Sequence, residues 1–343
     1  MYASKLLLSS LVAGFLALPA LSVSAAANEK VTVGAVVGYT SLHLPSYVAL
    51  ERGFFKKEGL DVTLVKLAPS PLKVAGLSGQ VDFVPIPTPA ALAALHGAPV
   101  VFLVGQSLSS QWEIVSEKSI TKAEDLKGKT VAYGQPGGAS YDEGERTLSE
   151  FFHMVPGKDY KVISFQAQPD ELAALIKGDV QAALLTTAEA VKAQKAGFKV
   201  LLTTSTYLPR IGGEFWTMRP FVEKHPEATK AFIKAIAEAI MYIRTNKEGT
   251  MPIFKTYLGI DDPQEQSLLW DSIHDGYDAT LPPKLFKEIF EARRREMIAL
   301  GQWPKDKPLP DVESFVARKL LDDALKEVHY VPAKAAAKPA TTN

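Results

Sequence analysis

The residues best placed to do chemistry lie in Gly128–Tyr141. This stretch reads as a strand at Thr130–Tyr133, a glycine-rich turn at Gly134–Gly138, and a helix beginning at Ala139 or Ser140. That order points free backbone N–H groups beyond the strand end. Such a place favours negative charge by roughly 0.3–1 kcal/mol at the surface and up to about 2 kcal/mol when partly buried. The spacing Gly134, Gln135, Pro136, Gly137, Gly138 is not the G-x-G-x-x-G of a dinucleotide site. Gly128-Lys129-Thr130 precedes a strand, and Ala123 stands where a phosphate loop needs its first glycine. Ser140 lacks the Gly-x-Ser-x-Gly elbow of a nucleophile. His43, His96, His153, His225, His274 and His329 are scattered, and none forms His-Glu-x-x-His. The turn alone leaves open a small-anion site or a merely capped helix start.

The elements that must position this turn repeat a simple logic. Val31–Val37 is a strand, and Gly38–His43 a loop. Pro45 opens an amphipathic helix through Phe55, closed by Gly59. Asp61–Lys66 is a second strand, followed by a turn in which Ser70 caps a helix with Pro71 at its first position. Val81–Val84 is a third strand; Pro85–Pro89 and a helix at Ala90–His96 follow, then a strand at Val100–Gln106. Trp112–Ser116 reads as a crossing strand. A second series adds strands at Lys161–Phe165, Val180–Leu185 and Lys199–Leu202, with helices at Pro169–Lys177 and Ala188–Ala196. Glu214–Met218 reads as a returning strand, and the remainder as helices at 225–244, 249–257, 263–276, 283–300 and 312–328. Alternating strands and helices with short connections form parallel sheets, with ligands outside the carboxyl ends of the strands. Hydroxyl residues recur there: Thr40, Ser41, Ser70, Thr88, Ser140, Thr186 and Thr187. Taken singly, each also reads as a helix cap. His43 stands in such a loop, either against an anion or at the surface.

Bulk properties narrow the classes. The chain has 343 residues, 38 basic against 38 acidic, so nothing in its charge points to nucleic acid or an anionic lipid surface. The absence of cysteine removes disulfides, zinc–thiolate sites, thiol catalysis and a lipid-modified anchor together. Residues 1–26 read as a secretory signal peptide: Lys5, an apolar run at Leu6–Leu18, then small residues at Ser22–Ala27. Residues 331–343 are rich in Ala, Lys, Pro and Thr and read as a disordered tail.

Several segments in this order resemble a known family: Tyr47–Val62 (YVALERGFFKKEGLDV), Gly79–Phe83 (GQVDF), Asp125–Ala132 (DLKGKTVA) and Leu172–Ala183 (LAALIKGDVQAA). Together they resemble the periplasmic solute-binding proteins of ABC importers, in the branch that takes sulfonates, taurine, nitrate and pyrimidine precursors. The resemblance implies an α/β fold of two lobes (the type II arrangement). Each lobe is a mainly parallel sheet flanked by helices, and two crossing strands near Ile114 and Phe215 act as a hinge. It divides the chain into lobe I at 27–115 and 216–330 and lobe II at 116–215. It also implies a ligand set in the cleft: Tyr39, Thr40, Ser41, His43, Ser70, Pro71, Thr88, Gly137, Gly138, Ala139, Ser140, Thr186, Thr187, Glu189, Glu214 and Trp216. Function follows as reversible capture of a small organic anion and delivery to a permease with its cytoplasmic ATPase. The protein would act as a monomer, free in the periplasm, with no cofactor, no metal and no catalysis. A pyrimidine or other heteroaromatic ligand is the alternative, favoured if aromatics such as Tyr39, Trp112, Phe215 and Trp216 line the cleft. A periplasmic enzyme on the same scaffold is a further one. The sequence departs from the sulfonate binders at Leu185–Glu189 and in the proline-rich Pro85–Pro89. The fungal pyrimidine synthases of the same fold rely on a cysteine-rich motif that is absent here.

Overall fold

The computed structural model describes residues 28–37, 40–109, 111–136, 139–166, 168–208 and 211–333. The signal peptide, Tyr39, Gly137, Gly138 and residues 334–343 lie outside them, as do the side chains of Thr88 and Ala139.

The strands are β1 (Glu29–Val36), β2 (Leu60–Leu67), β3 (Val100–Ser107), β4 (Trp112–Ser116), β5 (Thr130–Tyr133), β6 (Lys161–Ser164), β7 (Ala182–Thr186), β8 (Lys199–Thr203) and β9 (Gly213–Met218). The first half carries helices α1 (Leu44–Glu51), α2 (Phe54–Lys57), α3 (Pro69–Leu77) and α4 (Pro87–Leu95). The second carries α5 (Ala139–Phe152), α6 (Gln168–Lys177) and α7 (Thr187–Lys195). Then follow α8 (Arg219–Lys224), α9 (Pro226–Thr245), α10 (Lys247–Leu258), α11 (Pro263–Ile273), α12 (Pro283–Ala299) and α13 (Arg318–Glu327).

Two sheets result. The first consists of two strand pairs joined only by single bridges: β1 pairs in parallel with β2 and bridges to Phe83, and Val84 bridges to Trp216 of β9, which pairs antiparallel with β3. The second has the order β6-β5-β7-β4-β8, parallel throughout except for β4. Each sheet therefore takes one antiparallel strand from a chain arriving from the other. Both antiparallel strands lie wholly within their sheets, so the chain crosses at 108–111 and 207–212. The expected crossings at Ile114 and Phe215 fall inside strands, because hydrogen bonding to β7 and β8 claims all of β4 and pairing with β3 claims β9.

The first core is built around α9, whose Phe232 stacks on Phe83 at 3.8 Å and meets Phe215 edge-on at 5.0 Å. The second sheet has a separate core on each face, around Leu148 of α5 on one side and Ala190 of α7 on the other.

Two expected helices are broken. The first is cut at Gly53, whose φ of +74° separates α1 from α2. The last is cut because Val316 bridges to Phe102 and Ala317 N–H donates to the Phe102 carbonyl, so that a stretch of chain joins the first sheet. Sheet pairing outweighs helix propensity there. Residues 331 and 332 are not free tail: Arg244 donates to both carbonyls.

Candidate functional site

Because β9 and β4 run against their neighbours, the starts of both strands lie at the same sheet ends as the carboxyl ends of the parallel strands. One side of the site thus gathers Thr40–His43, Ser70, the start of α4, Gln106 and Glu214. The other gathers Gly134, the starts of α5, α6 and α7, Gln111 and Thr203.

On the first side most groups are already committed. Thr40 caps a short 3-10 turn, accepting from Leu42 N–H at 3.3 Å. Ser41 is fully buried and its Oγ donates to Gln111 Oε1 at 2.6 Å. His43 is neither a surface group nor a cation. It is buried, and desolvation lowers its pKa to about 4, with the neighbouring Gln106 pulling the other way and Lys66 adding a smaller push down. Ser70 does not cap: α3 begins at Pro69, and Ser70 and Pro71 are exposed in its first turn. Thr88 likewise lies within the first turn of α4, not ahead of it. Trp216 is wholly buried; it packs on Gly76, and its Nε1 donates to the Ile86 carbonyl at 2.9 Å. This corrects its expected place as a ligand wall, and Phe215 is core as well. Glu214 is buried at the start of β9, paired opposite Gly105.

The second side is built from helix starts. Gly134 lets α5 approach the end of β5: a Cβ on it would stand 2.3 Å from Ser140 Oγ and 3.8 Å from Glu171 Oε1. A side chain there would displace the Ser140 hydroxyl from its place. Ser140 is thus held at the first turn of α5, almost buried. Thr186 caps α7, accepting from Glu189 N–H at 3.3 Å, while its hydroxyl reaches the Glu189 carboxylate at 3.3 Å. The Thr-x-x-Glu spacing at 186–189 is the signature of such a start. Thr187 Oγ1 lies 3.4 Å from Glu113 Oε1, and Thr203 Oγ1 donates to Glu113 Oε2 at 2.6 Å.

Buried glutamates dominate the electrostatics of this side. Desolvation raises the pKa of Glu113 to about 7, partly opposed by its two threonines. Burial also pushes Glu171 and Glu189 well up, and Glu171 further through the charge of Glu189. Because burial disfavours their charged forms, these carboxyl groups oppose an anion at the helix starts less than free carboxylates would. Sequence reasoning missed Gln111, Glu113, Glu171 and Tyr277. Nothing local marks residues that meet across 70 or 236 positions.

A cavity of about 570 Å³ lies between the two halves beside the crossings, lined by Gln111, Glu113, Thr187, Thr203, Arg244 and Asp275 among others. Two ion-pair groups flank the halves. Lys195 of α7 pairs with Asp262 at 3.0 Å and Glu265 at 2.8 Å, and Arg293 of α12 lies 3.7 Å from Asp142 of α5. Among the described residues no group of three or more His, Asp or Glu side chains could hold a metal ion, and no helix is long and apolar enough to cross a membrane.

Comparison with known proteins agrees with this geometry. The NMT1/THI5-like family model matches residues 40–249. The taurine-binding periplasmic protein of Escherichia coli K12 is 32% identical over 223 residues, 62% of this chain and 67% of its own length. The nitrate/nitrite-binding protein NrtA of Nostoc is 26% identical over 251 residues, 65% of this chain and 57% of its own. Among solved structures, the periplasmic aliphatic sulphonate-binding protein SsuA of Escherichia coli superposes with a TM-score of 0.69 at 18% identity, covering 86% of this chain and 99% of that one. The desulfurization enzyme DszB, bound to biphenyl-2-sulfinic acid, has a TM-score of 0.62 at 12% identity, covering 88% of this chain and 99% of that one. The fold is the two-lobed α/β fold of periplasmic binding proteins. With 210 consecutive positions matched by the family model and both lobes in place, the chain belongs to the NMT1/THI5-like family.

Proposed function

We propose that the protein is a periplasmic substrate-binding protein. It captures a small organic anion, a sulfonate or a carboxylate, between its lobes and hands it to an ABC permease. The observation that supports this most is the link between the strand-end loop of one lobe and the start of α7 in the other, where Gln111 accepts from both Ser41 Oγ and Thr187 N–H beside the cavity between the halves. Backbone N–H groups and hydroxyls are the donors. Each hydrogen bond to a charged group contributes about 1.5–3 kcal/mol, without the larger desolvation penalty of a buried ion pair. The lobes close about the crossings at 108–111 and 207–212, and the closed form is what the permease reads. With Trp216 and Phe215 committed to the core, the aromatic walls expected for a heteroaromatic ligand are reduced, which favours a small anion. The protein releases its ligand unchanged.

The test is a thermal-shift and calorimetric screen of taurine, methanesulfonate, nitrate, benzoate and pyrimidines, with product analysis by mass spectrometry. One saturable site for a sulfonate or carboxylate, with the compound recovered intact, is expected. Turnover of any compound, or stabilisation by pyrimidines alone, would overturn the reading.

A further inference from the structure

One residue of the first crossing touches both lobes. Ser41 Oγ, from the strand-end loop of the first lobe, donates to Gln111 Oε1 at 2.6 Å. Tyr277, fully buried in the segment between α11 and α12, donates its hydroxyl to the Ser41 carbonyl at 2.5 Å. The Gln111 backbone carbonyl accepts from Thr187 N–H, at the start of α7 in the second lobe, at 3.1 Å. Gln111 thus ties the Ser41 loop through its side-chain oxygen and the start of α7 through its backbone carbonyl, while Tyr277 fixes the same loop from behind. An apolar side chain at 111 would leave the buried Ser41 hydroxyl short of its partner.

The crossing itself is crowded. Leu108 N–H and Ser107 Oγ both donate to the Gly276 carbonyl, and Gly212 N–H of the second crossing donates to the Ser107 carbonyl at 2.7 Å. A Cβ on Gly212 would lie 2.2 Å from the Ser109 carbonyl oxygen. The neighbouring backbone is therefore braced, and Gln111 is the next residue along the crossing whose contacts are described.

We infer that Gln111 is a positioning residue that couples the two jaws. Its side chain holds the Thr40–His43 loop while its carbonyl holds the start of α7, so the jaw geometry and the angle between the lobes are set together. This goes beyond the binding function proposed above and can be read without any ligand.

The cysteine-free chain makes the test direct. Spin labels at Lys56→Cys of the first lobe and Lys177→Cys of the second would report the interlobe distance by pulsed electron resonance, alongside calorimetry with taurine as the probe. Gln111→Leu is expected to shift or broaden the ligand-free distance distribution and to weaken taurine binding by about tenfold, the scale of one lost hydrogen bond. Tyr277→Phe, which removes one hydroxyl, covers the case in which a Gln111 variant fails to fold. Ser41→Ala is expected to shift the distribution likewise, and adding it to Gln111→Leu to change little more. An unchanged ligand-free distribution in the variants, or effects of Ser41→Ala and Gln111→Leu that add, would overturn the inference. If the parent chain binds no taurine or other anion, it is the proposed function that fails. The ligand-free distances still decide the role of Gln111.

Discussion

The two jaws of the cleft are made of the same ingredients and built to different plans. In the first lobe the strand-end hydroxyls are spent on the protein itself: Thr40 on its own turn and Ser41 on the crossing. Its histidine is buried and uncharged at neutral pH, and its tryptophan is core. In the second lobe three helix starts lie at the strand ends beside buried glutamates whose charged forms burial disfavours, with a glycine where a Cβ would crowd Ser140. The contrast separates two tasks. The first jaw is a rigid wall wired to the hinge, and the second supplies the polarity that attracts an anion.

The largest effect that would break this comparison concerns the first jaw. Trp216→Ala should cost about 3–5 kcal/mol of stability, as expected for emptying a buried aromatic site. The folded fraction should keep its ligand affinity. Chemical denaturation followed by calorimetry checks both, and a large affinity loss with little destabilisation would return Trp216 to the ligand wall.

In the second jaw, Gly134→Val places branched carbon where Ser140 Oγ now stands. Overpacking of this kind costs about 1–3 kcal/mol. The α5 start should be displaced, with affinity for a small anion falling more than tenfold while the circular dichroism spectrum is kept. An affinity within twofold of the parent would remove this turn from the site.

Charge in the two jaws should respond to pH in opposite directions. Glu171 has a raised pKa in the folded state, so it contributes a destabilisation that grows as pH climbs from the unfolded value of a carboxyl group through the folded one. Glu171→Gln should therefore stabilise the protein at pH 8–9 by on the order of 1–3 kcal/mol and have little effect near pH 4. It should also flatten a decline in anion affinity with rising pH. His43, with its pKa lowered to about 4, works the other way: its contribution is intact above the unfolded value near 6.5 and is lost as pH falls toward 4. Melting temperatures measured across pH 4–9 for the parent, Glu171→Gln and His43→Gln should show the two limbs separately.

Much of this design was legible in the chain, and the rest was hidden for identifiable reasons. Strands such as β5 and β6 and helices such as α6 and α9 follow their local patterns, because their apolar faces repeat at the period of the element. The glycine turn was marked by its spacing, and the α7 start by the hydroxyls of Thr186 and Thr187 ahead of it. The break at Val316 was not, since it depends on Phe102, more than two hundred residues away. Burial of Trp216 and His43 could not be read either. Both types are as much at home in a binding wall as in a core, and only the neighbours Gly76, Ile86 and Gln106 decide. Gln111 and Tyr277 carry no local signal; their meaning lies in the hydrogen bond each makes to Ser41.

The smallest expected effect is that of the α7 cap. Thr186→Ala should cost about 1 kcal/mol, the usual loss for a helix N-cap. Because the cap sits in the second jaw, it should weaken anion binding in step with that loss. A cap of equal worth on the first side, Thr40→Ala, should lower stability without a matching change in affinity.

The most direct test of the central claim is isothermal titration of the intact protein with taurine and methanesulfonate at pH 6 and pH 9. One site per chain is expected, tighter at pH 6 than at pH 9 because ionised glutamates beneath the second jaw oppose the anion. Affinity that is equal at both values, or that rises toward pH 9, would contradict a jaw of uncharged donors beside carboxyl groups whose charged forms burial disfavours.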